Sequence, residues 1–348
     1  MTPFAQIRDR NTGVIPIICT RGGGYGPGAA GSGFRSHETQ AGPWGFWLYR
    51  TPDGYEKLVS DWMRERYHCE VKQGWVLFSP RINMALNMAV DTFTEPGDSI
   101  IVNTPAYPAL TGAVEKWGRN LKESPLILKN GRFTIDFDGL ERLADQKTRA
   151  YILCNPHNPA GRVWTREELM QIGEISLRHN VTVVSDEIHC ELTSPGHAYT
   201  PFASLPETVT GHAVTCISPS KAFNIAGLQI ANIVAPDEEI RRRIDKAINI
   251  NEVCDVNPFG VIATMAAYRK GEDWLDQLLA YLQGELQVHE RVLHGTPSGL
   301  SDLQTGGYLF GMDGLPHTGH AFRRTGTPPD PGSPALAQCR SHVRQGRR

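Results

Sequence analysis

The sequence predicts an α/β fold in which helices cover both faces of a largely parallel central β-sheet. Along the middle of the chain, short runs rich in β-branched residues alternate with helical patterns, which is typical of a parallel sheet. The chain has 348 residues, 40% of them hydrophobic, and can therefore bury a large core and form two domains. The predicted strands cover residues 75–78, 100–102, 151–154, 181–184, 213–217 and 229–234.

Candidate helices lie between these strands, and one of them has clear signals at both ends. Thr165 and Glu168 have the spacing of a capping box, apolar residues follow at helical intervals, and Asn180 can end the helix. A second helix is predicted over residues 82–93. After Pro258 the pattern becomes helical, and we place the start of a smaller α+β domain near this point.

We expect four segments, which differ in composition. Residues 1–45 include a glycine-rich run that cannot pack a core, and residues 313–348 form a disordered basic tail without apolar periodicity. Between them, residues 46–255 are predicted to form the large domain and residues 256–312 an incomplete smaller domain. The glycine-rich run contains a dinucleotide-binding pattern at 26–31, but the glycines and prolines that follow it break the helix such a site requires.

Three polar clusters directly follow three of the predicted strands. They are Asn-Pro-His-Asn-Pro-Ala-Gly at 155–161, Ser-Asp-Glu-Ile-His at 185–189 and Ser-Pro-Ser-Lys at 218–221. Because the carboxyl ends of the strands form the ligand-binding edge of such a sheet, these clusters should meet in one crevice. By itself, each cluster has a simpler interpretation as a solvated lysine, a turn or a helix cap. Their joint occurrence favours a site.

Lys221 is the residue around which the predicted site is organised. A lysine at the end of a strand can form an imine with an aldehyde cofactor, and the hydroxyls of Ser218 and Ser220 stand close enough in sequence to bind its phosphate. The order of Asn158, Asp186 and Lys221, separated by 28 and 35 residues, resembles the fold-type I enzymes that use pyridoxal 5'-phosphate (PLP), the aminotransferase class I/II superfamily.

Two further positions make the sequence resemble one group within this superfamily. Where many aminotransferases have a tyrosine and an arginine, this chain has His189 and Gln229. The strings Asp-Glu-Ile-His at 186–189 and Phe-Asn-Ile-Ala-Gly-Leu-Gln at 223–229 are similar to the MalY/PatB-type cystathionine β-lyases, which are carbon-sulfur lyases. The resemblance extends over about residues 49–309.

The resemblance implies a role for each polar residue. Lys221 is expected to bind PLP covalently and then, released by the substrate amine, to remove the Cα proton as a partly desolvated catalytic base. Asp186 is expected to pair with the pyridine nitrogen and Asn158 with the ring hydroxyl, with His189 nearby. Tyr107 is expected to stack on the ring. The phosphate would be held by Ser218, Ser220 and the backbone amides around Arg81 and Ile82.

The resemblance also implies a function, namely that of a PLP-dependent C-S β-lyase. Such an enzyme converts cystathionine or cysteine S-conjugates into a thiol, pyruvate and ammonia, as in methionine biosynthesis. Two alternatives stay open. The first is an aminotransferase, whose product keeps the carbon skeleton. The second is a catalytically impaired PLP-binding remnant of a frameshifted gene, because residues 14–45 and 312–348 lack the family's substrate strip and its carboxylate-binding arginine.

Composition and charge predict a small-molecule amino-acid substrate as the main partner. A net charge of -2 gives no reason to expect nucleic acid or a membrane surface. Seven scattered cysteines, none spaced Cys-x-x-Cys, predict reduced thiols in the cytoplasm and no metal site. No apolar stretch approaches the roughly 20 residues of a membrane span, and no signal peptide opens the chain. The resemblance further implies a homodimer whose interface flanks Tyr49 and Tyr107.

Overall fold

The structure, a computed structural model, describes residues 51–194 and 196–295. Within these residues the strands are β1 (Val76–Ser79), β2 (Ser99–Thr104), β3 (Asn120–Pro125), β4 (Ile127–Lys129), β5 (Arg132–Thr134), β6 (Thr148–Cys154), β7 (Thr182–Asp186), β8 (Ala213–Ile217) and β9 (Ala231–Val234). The helices are α1 (Tyr55–Tyr67), α2 (Ile82–Phe93), α3 (Pro108–Lys116), α4 (Phe137–Leu143), α5 (Arg166–Arg178), α6 (Glu207–Thr210), α7 (Glu238–Ile250), α8 (Pro258–Lys270) and α9 (Glu272–Gly295).

One sheet organises these elements, and its strand order is β1-β9-β8-β7-β6-β2-β3. The strands β8, β7, β6, β2 and β3 are parallel to one another. Strand β9 runs antiparallel to both of its neighbours, so β1 points in the same direction as the parallel strands. The prediction of a largely parallel sheet is confirmed. Every strand of this sheet except β9 therefore has its carboxyl end at the same edge.

Helices pack on both faces of the sheet, as predicted. Along β6, Ile152 belongs to the core that the sheet shares with α2, α3 and α7. Its neighbours Tyr151 and Leu153 belong to the opposite core, which the sheet shares with α4 and α5. Since successive side chains of a strand point to opposite faces, this alternation means that both faces of β6 are covered. The centre of the sheet is thus a rigid support for the loops at its edge.

The two helices with predicted bounds or caps are present. Helix α2 covers the predicted residues 82–93. Helix α5 begins after Thr165, and both bonds of the capping box form there: Glu168 N donates to Thr165 Oγ at 3.2 Å, and Thr165 N donates to Glu168 Oε2 at 2.8 Å. The helix ends at Arg178, just before Asn180, whose positive φ of 53° is typical of a residue that ends a helix.

The strands predicted from the sequence omit the edge strand β3 and the hairpin of β4 and β5. Strand β3 reads Asn-Leu-Lys-Glu-Ser-Pro, and most of its residues are exposed or half-buried. Because β2 is its one neighbour in the sheet, β3 leaves little apolar signal. The hairpin turns at Asn130 and Gly131, both with positive φ, and this dipeptide is a typical signal of a two-residue turn.

Helices α8 and α9 bear out the helical pattern predicted after Pro258, and they pack near α1. The rings of Trp62 in α1 and Tyr268 in α8 stack with 4.6 Å between their centroids. Arg66 in α1 forms ion pairs with two carboxylates at the start of α9.

The predicted domain boundaries stay predictions, and the segments 1–45 and 313–348 lie outside the described residues. No helix in the described ranges is long and apolar enough to cross a membrane.

Candidate active site

The three predicted polar clusters lie side by side at the carboxyl edge of the sheet. The first follows β6, the second begins with the last two residues of β7, and the third follows β8; these strands are neighbours in the strand order. In the register of these parallel strands, Cys154 is paired with Asp186, and Asp186 is paired with Cys216. Each cluster therefore begins at about the same level of the sheet, as the prediction of a single crevice requires.

Lys221 follows β8, and its side chain is exposed. Its positive charge contributes to lowering the pKa of both Asp186 and His189. The partly desolvated catalytic amine that the resemblance implies at this position stays a prediction. The amine is accessible to a small molecule that enters the crevice.

Asp186 is a buried carboxyl at the end of β7, with 5% of its surface exposed. Burial raises its pKa from 3.8 to about 7, while a hydrogen bond from Ile188 N to Oδ1 (3.2 Å) and the charge of Lys221 lower it. A cationic group bound beside Asp186 would stabilise its ionised form further. The site therefore contains an acid whose charge depends on a positive partner.

His189 lies on the same loop as Asp186 and is 9% exposed. Burial lowers its pKa from 6.5 to about 4, and the charge of Lys221 acts in the same direction. The imidazole is therefore neutral at physiological pH. A neutral ring can exchange hydrogen bonds with a ligand without adding positive charge to the site.

Hydrogen bonds at several points fix the loop that carries Asn158. At its start, Asn155 N donates to Asp186 O at 2.9 Å and joins the loop to the end of β7. Further along, His157 Nε2 lies 2.9 Å from Pro105 O, in the loop after β2. Asn158 itself is half-buried, and its side-chain amide makes no hydrogen bond within the described part of the chain. This amide is available to a ligand in the crevice.

Ser218 and Ser220 form the turn after β8, and one of the two hydroxyls is used within the fold. Ser218 Oγ donates to Ile230 O at 2.6 Å and accepts from Ser220 N at 3.1 Å. Its single proton is therefore engaged, which argues against the predicted contact between Ser218 and a phosphate. The hydroxyl of Ser220, a residue 8% exposed, has no hydrogen bond to another described residue. Ser220 is the better candidate of the two.

The amino end of α2 lies at the same edge of the sheet, because α2 follows β1. Arg81 precedes the helix with an extended backbone, and Ile82 is the first helical residue. The carbonyl of Arg81 accepts from Met84 N at 3.0 Å and Ala85 N at 3.1 Å. The N–H groups of Ile82 and Asn83 have no acceptor within the helix, and no side chain caps this end. These N–H groups and the helix dipole favour a phosphate here.

Tyr107 precedes α3 at the carboxyl end of β2, which is next to β6 in the sheet. Its side chain is 48% exposed, so part of it is accessible to solvent. The contact between His157 and Pro105 holds the loop of Tyr107 against the loop of Asn158. The stacking role of Tyr107 stays a prediction, and Tyr49 lies outside the described residues.

Glu187 is a buried carboxyl whose part in this site the sequence pattern does not reveal. Burial raises its pKa from 4.5 to about 7, although several hydrogen bonds lower it. Its position directly after Asp186 is the one feature of the local sequence that indicates a place near the site. Of the groups that donate to its carboxylate, Ser185 is two residues away, whereas Tyr199, Phe202 and Asn155 are 12, 15 and 32 residues away.

The chain matches the model of the family described as aminotransferase class I and II over residues 46–324. Among curated proteins, cystathionine beta-lyase PatB of Bacillus subtilis (strain 168) is 45% identical over 251 residues, which cover 72% of this chain and 65% of that protein. The chain thus spans just under two thirds of the length of this relative.

Two solved structures share the fold. The crystal structure of cystalysin from Treponema denticola, which contains PLP, has a TM-score of 0.70 and 33% identity, covering 72% of this chain and 65% of that chain. The PLP-bound C-S lyase from Staphylococcus hominis has a TM-score of 0.67 and 32% identity, covering 72% of this chain and 63% of that chain. The predicted fold-type I architecture is confirmed.

Proposed function

This chain belongs to the aminotransferase class I and II family, and we propose that it is a PLP-dependent C-S β-lyase. Its substrates would be cystathionine or other cysteine S-conjugates, and its products a thiol, pyruvate and ammonia. The observation that carries the proposal is the convergence of Lys221, Asp186 and Asn158 at one edge of the sheet. The identity of 45% to a protein named cystathionine beta-lyase supports the reaction type.

The residues at this edge fit PLP. The Asp186 carboxyl, with a pKa of about 7, suits a protonated pyridine nitrogen, whose charge would favour the ionised carboxylate. The exposed amine of Lys221 can react with an aldehyde, and the unpaired amide of Asn158 can donate to a ring oxygen. The open N–H groups at the start of α2 and the hydroxyl of Ser220 suit the phosphate. When bound, PLP supplies the electron sink for the carbanion at the substrate Cα.

Lys221 has two tasks in this proposal. Its ε-amine would hold the cofactor covalently, and the same Nζ would serve as the base that takes the proton from the substrate Cα. The same Nζ can then return a proton to the thiolate that leaves Cβ. The carboxylate of Asp186 would keep the ring nitrogen in its protonated form. His189, which is neutral at physiological pH, adds no further charge to the site.

Two residues favour elimination over amino transfer. His189 and Gln229 occupy the two positions at which many aminotransferases have a tyrosine and an arginine. Gln229 has an exposed side chain and a left-handed backbone conformation (φ 51°) just before β9. With glutamine in place of arginine, this position offers no fixed positive charge to a phosphate. The aminotransferase stays the second candidate because the family as a whole is named for that reaction.

We further propose a cytoplasmic homodimer that acts in methionine biosynthesis. The exposed ring of Tyr107 beside the site supports the dimer, since an aromatic side chain of this kind suits a buried interface. The alternative of an impaired remnant concerns residues 14–45 and 312–348, which lie outside the described residues, and it stays open. A reducing compartment is supported by the free cysteines of the described residues: Cys69, Cys154, Cys190, Cys216 and Cys254.

The test is a product assay with cystathionine and PLP in the absence of a keto-acid acceptor. The wild-type chain should release pyruvate and thiol in equal amounts. Lys221→Ala removes both the covalent link and the base, so it should be slower by roughly 100-fold or more. Amino transfer to 2-oxoglutarate, with no pyruvate from cystathionine, would identify an aminotransferase instead.

A further inference from the structure

Glu187 is placed to support the cofactor-binding residues on either side of it. We propose that Glu187 is a positioning residue, whose carboxylate holds the Asn158 loop against the end of β7 so that Asn158 and Asp186 meet the same cofactor ring. This inference rests on the proposed PLP site. It concerns how that site is held in shape and leaves the reaction unchanged.

The carboxylate of Glu187 is the centre of a buried hydrogen-bond network. Its side chain is 0% exposed. Its Oε1 accepts from Ser185 Oγ at 2.7 Å, from Phe202 N at 3.0 Å and from Asn155 Nδ2 at 3.4 Å, and its Oε2 accepts from the hydroxyl of Tyr199. These donors belong to β7, to the loop after β6 and to the segment before α6. One buried group therefore joins three parts of the chain.

Asn155 transmits this support to Asn158. Asn155 begins the loop, and both of its nitrogens donate hydrogen bonds. The backbone N donates to Asp186 O at 2.9 Å, while Nδ2 donates to Thr200 O at 3.0 Å and to Glu187 Oε1 at 3.4 Å. Asn158 follows on the same loop, and its own amide has no hydrogen bond to another described residue. Its place in the crevice therefore depends on how the loop is held at Asn155 and at His157.

Glu187 cannot act by touching the same ligand as Asp186. Glu187 directly follows Asp186, the last residue of β7, and its side chain is 0% exposed. Both of its carboxylate oxygens accept hydrogen bonds from groups of the chain itself. The backbone of Glu187 is itself fixed, because its N–H donates to Cys216 O at 2.8 Å. The side chain is thus a fixed anchor for the loops beside it, and its effect on a ligand is indirect.

Stability alone does not explain a carboxyl group at this position. Burial raises the pKa of Glu187 to about 7 even with its hydrogen-bond donors in place, which shows that its ionised form is costly here. Well-packed apolar residues are often at least as stable as buried charged groups. A leucine, however, cannot accept hydrogen bonds from Asn155, Phe202 and Tyr199. The network is better explained by the geometry that it imposes on the loops.

The experiment compares PLP binding by the wild-type chain, Glu187→Leu and Glu187→Gln, with Ile244→Ala as a control. Ile244 is fully buried in α7, within a core that contains none of the donors to Glu187, so its truncation destabilises the fold elsewhere. For each chain, the measurements are the Kd for PLP, the pH midpoint of the near-visible absorbance of bound PLP, and Tm without PLP. The pH midpoint reports the surroundings of the cofactor, which a loss of stability alone does not change.

We expect Glu187→Leu to weaken PLP binding by about 10-fold or more, the scale typical of a lost supporting residue. Its pH midpoint should rise, because a displaced Asn158 no longer stabilises the anionic form of the ring oxygen. Glu187→Gln keeps an acceptor oxygen for Asn155 and Phe202 and should bind PLP within about 3-fold of the wild type. Ile244→Ala should lower Tm and leave the midpoint unchanged.

Wild-type affinity and midpoint in Glu187→Leu would overturn the positioning role and leave the PLP site standing. Equal losses in Glu187→Gln and Glu187→Leu would also overturn it, since the amide preserves most of the hydrogen bonds. If Glu187→Leu does not fold, the same measurement is made on Asn155→Ala. A raised pH midpoint of the PLP absorbance in this variant supports the positioning role, and an unchanged pH midpoint rejects it. Failure of the wild-type chain to bind PLP would instead refute the proposed function.

Discussion

Burial raises the pKa of Asp186 to about 7, and the positive charge of Lys221, from the loop after the neighbouring strand, acts to lower it. Asp186 is the last residue of β7, and Lys221 lies in the loop after β8; these two parallel strands pair directly. In the proposed function, the amine binds an aldehyde and the acid pairs with a ring nitrogen. The fold alone therefore brings together the two groups that this chemistry needs.

Replacing Asp186 with asparagine should change how stability depends on pH. The folded pKa of Asp186 is raised, so its contribution to stability is fully present below about pH 4 and is lost as the pH rises through 7. An amide does not ionise and avoids this loss. Between about pH 5 and pH 8, Asp186→Asn should gain about 1–4 kcal/mol of stability relative to the wild type. Urea unfolding without PLP measures the difference.

Asp145→Asn is the matched control for this experiment. The hydrogen bonds from Lys122 and from Lys147 N lower the pKa of Asp145 to about 2, so its carboxylate stays ionised throughout the same range. The difference in stability between Asp145→Asn and the wild type should therefore be the same at both pH values. A difference for Asp186→Asn that is equally independent of pH would contradict the raised pKa.

Asn158→Ala should weaken PLP binding without lowering the stability of the cofactor-free chain. Its amide makes no hydrogen bond within the described chain, so the fold loses no internal bond. A hydrogen bond to a charged group is worth about 1.5–3 kcal/mol, so the Kd for PLP should rise roughly 10-fold to 100-fold. Asn249→Ala, on the exposed side of α7, provides the control. An unchanged Kd would remove Asn158 from the site.

The proposed homodimer predicts that light scattering gives twice the chain mass of 38.5 kDa. Tyr107→Glu should shift the chain towards the monomer, because a desolvated charge without a partner is unfavourable in an interface. Tyr281→Glu is the control, since Tyr281 on α9 is exposed to a similar degree, 55% against 48%. A PLP-loaded wild-type monomer would rule out the dimer.

Local patterns were enough to predict the elements that build the candidate site. The strands before Asn155, Ser185 and Ser218 are apolar runs, and parallel pairing brings their ends to one edge of the sheet. The capping box of Thr165 and the bounds of α2 are also local features. Each of these signals lies within a few residues of the structure that it predicts.

Contacts between distant residues account for what the sequence pattern does not reveal. Glu187 is hydrogen-bonded to Asn155, in another loop, and to Tyr199, beyond the end of its own loop. The spacing between Ser218 and Lys221 suggests that Ser218 contacts a phosphate. In the fold, however, the hydroxyl of Ser218 donates to Ile230 O, and this hydrogen bond disfavours the contact. Such partners depend on tertiary packing, and no periodicity in the sequence encodes them.

The absorbance of the chain with PLP tests the central claim most directly, because a covalent bond to a lysine gives bound PLP a near-visible band that is lost with the lysine. The spectra to compare are those of the wild type, Lys221→Ala and Lys246→Ala, an exposed lysine on α7. We predict the band in the wild type and in Lys246→Ala, and its absence from Lys221→Ala. An unchanged band in Lys221→Ala would contradict the account.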